Sequence, residues 1–116
     1  MKKKIICFDL DGVICKTKKN NYIKAEPIKK NINKINELFE KGYFIKIFTA
    51  RYMGRSKENS KLAKKKGYYT TLKQLKKWNV KFNKLIFGKP SYDLFVDDKS
   101  IFYKKEWIFQ INKYLK

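Results

Sequence analysis

Two short motifs in this chain set carboxylates behind apolar residues: Phe8-Asp9-Leu10-Asp11-Gly12 and Phe95-Val96-Asp97-Asp98. Together they hold four of the five aspartates. Each pair closes an apolar run, Ile5-Ile6-Cys7-Phe8 before the first and Leu94-Phe95-Val96 before the second. Runs of this length read as buried parallel strands. Such strands deliver their C-terminal ends to one edge of a sheet, where ligands bind in open α/β folds. Four carboxylates gathered there repel one another unless a cation sits among them. The pattern therefore implies a hard divalent metal and chemistry on an anion. The chain has no His, which excludes the usual His-containing zinc sites and His-dependent triads. Cys7 and Cys15 have neither metal-site nor redox-motif spacing, and Cys7 suits a buried strand position.

The elements that must position these groups alternate between strand and helix patterns. The first strand covers about residues 4–9, and residues 12–27 read as a polar connector. Pro27 suits a first helical turn. Ile28, Ile32, Ile35, Leu38 and Phe39 share one helical face, and Gly42 is placed to stop that helix. Residues 43–48 form the second strand and residues 49–56 a loop. Residues 57–66 are predicted helical with Gly67 as a stop, and residues 71–78 form a second short helix carrying Leu72, Leu75 and Trp78. Leu85-Ile86-Phe87 is a short strand, and residues 94–96 the last core strand. Trp107-Ile108-Phe109 fits either an edge strand or the start of a terminal helix. The expected fold is α/β, a single Rossmann-like three-layer domain over residues 1–116 with a mainly parallel sheet. Right-handed crossovers bring residues 9–12, 49–51, 88–90 and 97–99 to one edge.

Composition narrows the setting. The chain has 116 residues, enough for one domain, and its 43% hydrophobic content argues against disorder. No apolar stretch reaches the roughly 20 residues of a membrane span. The basic start Met1-Lys2-Lys3-Lys4 is followed by too short an apolar run for a signal peptide. A cytoplasmic location and no membrane partner are expected. The net charge is +20, but Lys supplies all but two of the 30 basic residues, the exceptions being Arg51 and Arg55. Arg is the better bidentate phosphate ligand. A compositional bias toward Lys is therefore the leading explanation, with nucleic-acid binding the alternative.

Taken in order, Asp9-Leu10-Asp11-Gly12, Phe48-Thr49-Ala50-Arg51, Gly88-Lys89-Pro90 and Val96-Asp97-Asp98 each follow an apolar run. The set resembles the four motifs of the haloacid dehalogenase-like (HAD) phosphohydrolases, over nearly the whole chain. Tyr22, Ala25, Pro27, Phe48-Thr49-Ala50-Arg51-Tyr52-Met53, Thr71, Trp78, Leu85-Ile86-Phe87-Gly88-Lys89-Pro90 and Asp97-Asp98-Lys99 are most similar to the small capsule-biosynthesis phosphatases. Alone, each motif has a plainer meaning: Asp-x-Asp-Gly makes turns, Thr49 caps helices, and a lysine is usually solvated.

The resemblance implies a mechanism. Asp9 is the nucleophile and Asp11 the proton donor and acceptor. Mg2+ is the implied cofactor, held by the Asp9 carboxylate, the Asp11 backbone carbonyl and an acidic residue of the last pair, with Asp98 favoured as direct ligand and Asp97 behind it. Thr49 and Ala50 bind phosphate oxygens, and Lys89 neutralises both nucleophile and phosphate. Arg51 takes either a substrate role or a structural salt bridge. The expected substrate is a small phosphorylated metabolite such as a sugar phosphate. The rivals are a polynucleotide end phosphatase or nucleotidase, and a non-catalytic HAD-fold binding protein. Residues 12–27 and 50–84 leave no room for a cap domain, so the site is expected to be open unless a second copy in a homo-oligomer covers it. Val13 departs from the Thr common in relatives.

Overall fold

The computed structural model describes residues 4–116; the first three residues of the basic start lie outside the described residues. Strand β1 (Ile5–Asp9) pairs in parallel with β4 (Phe44–Thr49), and β4 with β5 (Lys84–Phe87), in the order β1-β4-β5. Asp9 lies opposite Phe48, and Thr49 opposite Phe87. The three strands thus end level, and the residues that follow them share one edge. The sheet and its helices form a compact α/β unit, as the alternation of patterns predicts.

The connector is more structured than its polarity suggests. Strands β2 (Cys15–Lys16) and β3 (Glu26–Pro27) pair antiparallel, with a 3-10 turn at Tyr22–Lys24 between them. Pro27 therefore sits in a strand pair, and helix α1 (Lys29–Glu40) begins two residues later. Ile32, Ile35 and Leu38 are its buried stripe, as their spacing predicts. Gly42 follows the helix with φ 94°, the left-handed conformation that ends helices at little cost for glycine.

Helix α2 (Ser60–Lys77) is one continuous helix rather than two. Asn59 caps it, accepting the Leu62 N–H at 3.1 Å. Ala63, Gly67, Thr71 and Leu75 recur every four residues as its buried stripe. Gly67 is there for space, not as a stop: a Cβ at this position would lie 2.4 Å from two ring carbons of Tyr52. Helix α3 (Trp107–Tyr114) resolves the ambiguous C-terminal segment as helix. Trp107 packs edge-to-face on Phe8 at 5.8 Å and donates its indole N–H to Asn31 Oδ1 at 3.0 Å.

Two expectations need correction. Residues 94–96 do not form a strand; Leu94 and Val96 are 82% and 89% exposed. β1 consequently keeps one unpaired edge among the described residues. Burial also alternates along β4, with Ile45, Ile47 and Thr49 fully buried. Phe8, Leu85 and Phe87 lie in register with these and share the core face. On the opposite face Ile5, Cys7 and Phe44 are exposed, whereas a three-layer sandwich expects both faces sealed. No helix among the described residues is long and apolar enough to cross a membrane.

Candidate active site

The shared strand edge brings Asp9 and Lys89 together. Asp9 ends β1, and Lys89 follows β5 after Gly88, whose φ of 107° turns the chain inward. The Lys89 backbone N–H donates to the Thr49 carbonyl at 3.1 Å, fixing the loop to the end of β4. Lys89 Nζ then lies 3.3 Å from Asp9 Oδ2, while Asp9 Oδ1 accepts the Leu10 N–H at 2.9 Å. Burial pushes the Asp9 carboxyl above its ordinary range, against the opposing pull of Lys89 and the Leu10 N–H. Burial acts to lower the Lys89 pKa, but the Tyr92 hydroxyl and the Asp9 carboxylate outweigh it, and the ammonium ends above its ordinary value. The pair is a nucleophile candidate with its own counter-charge.

Asp11 lies in the tight loop after β1, where the carbonyl of Leu10 accepts N–H groups from Val13, Ile14 and Cys15. Its carboxylate is gripped by Arg51: Nε reaches Oδ2 at 2.9 Å and Nη2 reaches Oδ1 at 2.9 Å. Thr17 Oγ1 also donates to Oδ1. Arg51 is only 2% exposed. Thr49 is fully buried, and its Oγ1 accepts the Arg51 backbone N–H at 3.0 Å, holding the Thr-Ala-Arg turn. Ala50 follows it, half-buried, with its carbonyl accepting the Met53 N–H.

Asp97 and Asp98 do not join this group. Both are exposed, and Asp97 Oδ1 accepts the Lys99 N–H at 3.0 Å within its own turn. Among the described residues no three Asp, Glu or Cys side chains gather as a metal ion would need. Asp9 and Asp11 each face a basic side chain instead. As arranged, the carboxylates do not fit the four-carboxylate metal centre expected from the motifs.

Behind Asp11, sequence reasoning missed Gln74 and gave Thr71 and Tyr22 no place around Arg51. Gln74 Oε1 accepts from Arg51 Nη1 at 2.7 Å, and Gln74 Nε2 donates to the Tyr22 carbonyl at 2.8 Å. Thr71 Oγ1 takes a second Nη1 contact at 3.3 Å. The available signal was a polar Thr71 on the same stripe as Leu75, with Gln74 one turn along. The Tyr22 and Tyr52 rings meet at a tilt, 5.0 Å between centroids and 58° between planes, and Arg55 lies over both.

No protein-family model matches the chain, and no curated protein is similar to it. The crystal structure of an MCSG target from Vibrio cholerae is similar in fold, with a TM-score of 0.79 and 24% sequence identity. The match covers 97% of this chain and 99% of that one. At this identity the likeness shows a shared α/β fold.

Proposed function

We propose that this chain is a capless, HAD-type phosphomonoesterase of the cytoplasm, acting on a sugar phosphate or similar small metabolite through an aspartyl-phosphate. The observation that carries the reading is the Asp9–Lys89 pair at the common strand edge, 3.3 Å apart, with Asp11 two residues on. In the first step an Asp9 oxygen attacks phosphorus. The bond from phosphorus to the leaving oxygen breaks, and Asp11, which enters this step protonated, gives that oxygen its proton and is left as the carboxylate. In the second step water attacks phosphorus and passes a proton to Asp11. The Asp9–phosphorus bond then breaks and inorganic phosphate leaves. Lys89 offsets the repulsion between an anionic nucleophile and an anionic substrate. Thr49 is fully buried, and its Oγ1 holds the Thr-Ala-Arg turn that offers the Ala50 N–H to a phosphate oxygen.

A magnesium requirement is part of the proposal on the motif resemblance alone. Phosphate release from a panel of sugar phosphates, nucleotides and phosphorylated oligonucleotides, with and without Mg2+, tests the whole reading. Asp9→Asn is expected to abolish turnover with the fold intact. Near wild-type release by Asp9→Asn refutes the mechanism. At near-physiological salt, where nonspecific phosphate contacts weaken, a small phosphomonoester is expected to be the better substrate. A tenfold advantage for an oligonucleotide replaces this reading with the polynucleotide one.

A further inference from the structure

We infer that Arg51 is a positioning residue that acts through Asp11 and does not bind substrate, and that it leaves Asp11 Oδ2 as the oxygen that exchanges the leaving-group proton. The inference rests on the acid–base role proposed for Asp11. A guanidinium has five N–H donors, and here each of its nitrogens is engaged within the protein. Nε bonds Asp11 Oδ2 at 2.9 Å and Oδ1 at 3.2 Å. Nη1 bonds Thr71 Oγ1 and Gln74 Oε1, at 3.3 and 2.7 Å. Nη2 bonds Asp11 Oδ1 and Cys15 Sγ, at 2.9 and 3.7 Å. The Tyr22 ring covers one face of the guanidinium, 4.9 Å away. A substrate phosphate reaching Arg51 must therefore break a buried ion pair.

The two Asp11 oxygens are treated unequally. Oδ1 receives Arg51 Nε and Nη2, the Thr17 hydroxyl and the Cys15 thiol at 3.5 Å. Oδ2 receives Arg51 Nε alone. Oδ1 is saturated, while Oδ2 keeps a lone pair for a proton, on a side chain 26% exposed. Proton transfer needs a donor held at hydrogen-bond reach and in one orientation. The planar fork supplies that orientation, and a lysine cannot reproduce it. Gln74 fixes the far end of the fork and ties it to the Tyr22 carbonyl.

Leaving-group dependence separates positioning from mere stability. Expulsion of p-nitrophenolate needs little help from an acid, whereas an alkoxide needs much. Values of kcat/KM for p-nitrophenyl phosphate and glycerol phosphate are to be compared in the wild type, Asp11→Asn, Arg51→Lys, Arg51→Met and Gln74→Met. General acid catalysis contributes about 10²–10⁴-fold. Asp11→Asn is expected to lose about 10²-fold or more on glycerol phosphate and far less on the nitrophenyl ester. Arg51→Met and Arg51→Lys are expected to lose selectively in the same sense, and Gln74→Met less strongly. Adding Arg51→Met to Asp11→Asn is expected to give no further selectivity. Equal losses on both substrates in the Arg51 variants, with Asp11→Asn selective, overturn the inference. Should Arg51→Met not fold, an unselective Gln74→Met overturns it equally. An unselective Asp11→Asn refutes the acid role itself and the inference with it.

Discussion

Replacing Gly67 with Ala sets two physical effects against each other. Gly67 lies inside α2, where alanine is favoured by about 1 kcal/mol on helix propensity. The added methyl would lie 2.4 Å from two Tyr52 ring carbons and 3.2 Å from Phe87 Cε2. Carbon atoms prefer to sit about 3.5–4.0 Å apart, so the Tyr52 ring must retreat by more than ~1 Å. It has little freedom to do so. The Tyr52 backbone has φ 64°, and its ring packs at a tilt against Tyr22 with Arg55 over it. Overpacking of this kind costs about 1–3 kcal/mol. The net expectation is a loss of ~1 kcal/mol, which lowers Tm by roughly 4 °C for a domain of this size. Thermal melts followed by far-UV circular dichroism measure it. In a Tyr52→Ala background the clash with the ring is gone, and Gly67→Ala is expected to become neutral or stabilising, less what Phe87 still resists. The coupling between the two sites is then about 1–3 kcal/mol. A Gly67→Ala protein that melts higher than wild type by the full propensity gain refutes the close-approach reasoning.

Three further outcomes can be measured directly. Because burial raises the Asp9 carboxyl and the nucleophilic role proposed for it needs the ionised form, activity is expected to fall with decreasing pH through a value above the ordinary Asp pKa of about 3.9. Lys89→Met removes a charge that lowers it and moves this acid limb further up; an unmoved limb shows that the two do not pair in solution. Cys15 is fully buried, with its thiol pushed up to about 11, whereas Cys7 is exposed. Iodoacetamide at pH 8 is therefore expected to label one thiol in the native protein and the second only in denaturant, since about one Cys15 in a thousand is thiolate there; rapid native labelling of both contradicts the burial. Asn31 is buried and pairs with the Val13 carbonyl, the Tyr103 hydroxyl and the Trp107 indole N–H. Asn31→Leu orphans these groups and is expected to cost about 2–3 kcal/mol in urea unfolding, so a loss below ~0.5 kcal/mol shows that α3 does not rely on it.

What the residues declared in advance follows physical lines. β1, β4 and β5 were legible because apolar runs bounded by Gly or Asp have few other homes, and α1 because five apolar positions repeat at helical spacing before Gly42. α2 was cut in two because a glycine looks the same whether it ends a helix or admits a neighbouring ring. The β2–β3 pair is not legible in the sequence because two-residue strands carry no period. Asp9 and Lys89 were legible through strand ends. The Arg51–Asp11 pairing spans 40 residues of sequence and depends on side-chain reach, which no local pattern encodes. Arg51 therefore reads equally as a substrate group or a salt bridge in the sequence, Gln74 carries no signal there, and Thr71 enters only through the family resemblance.

The metal and the missing strand are one question. Four carboxylates gathered at one edge would need a cation among them, even with Lys89 beside Asp9. Here Lys89 and Arg51 supply positive charge to Asp9 and Asp11, and Asp97 and Asp98 stay in solvent. Their exposure follows from residues 94–96, which leave Leu94 and Val96 in water, while among the described residues one edge of β1 is unpaired. An apolar β-prone segment and an open strand edge are both unfavourable in isolation, and pairing them offsets both. Were residues 94–96 to pair there in parallel, Asp97 and Asp98 would follow them toward the end of β1, as a four-carboxylate site requires. Mg2+ is therefore expected to slow amide hydrogen exchange at residues 94–96 and along β1 as it activates turnover, with Asp98→Ala weakening both effects more than Asp97→Ala. Activation by Mg2+ with exchange at residues 94–96 unchanged, and with Asp98→Ala as responsive as wild type, refutes the four-carboxylate reading and leaves Lys89 and Arg51 as the counter-charges on which the site works.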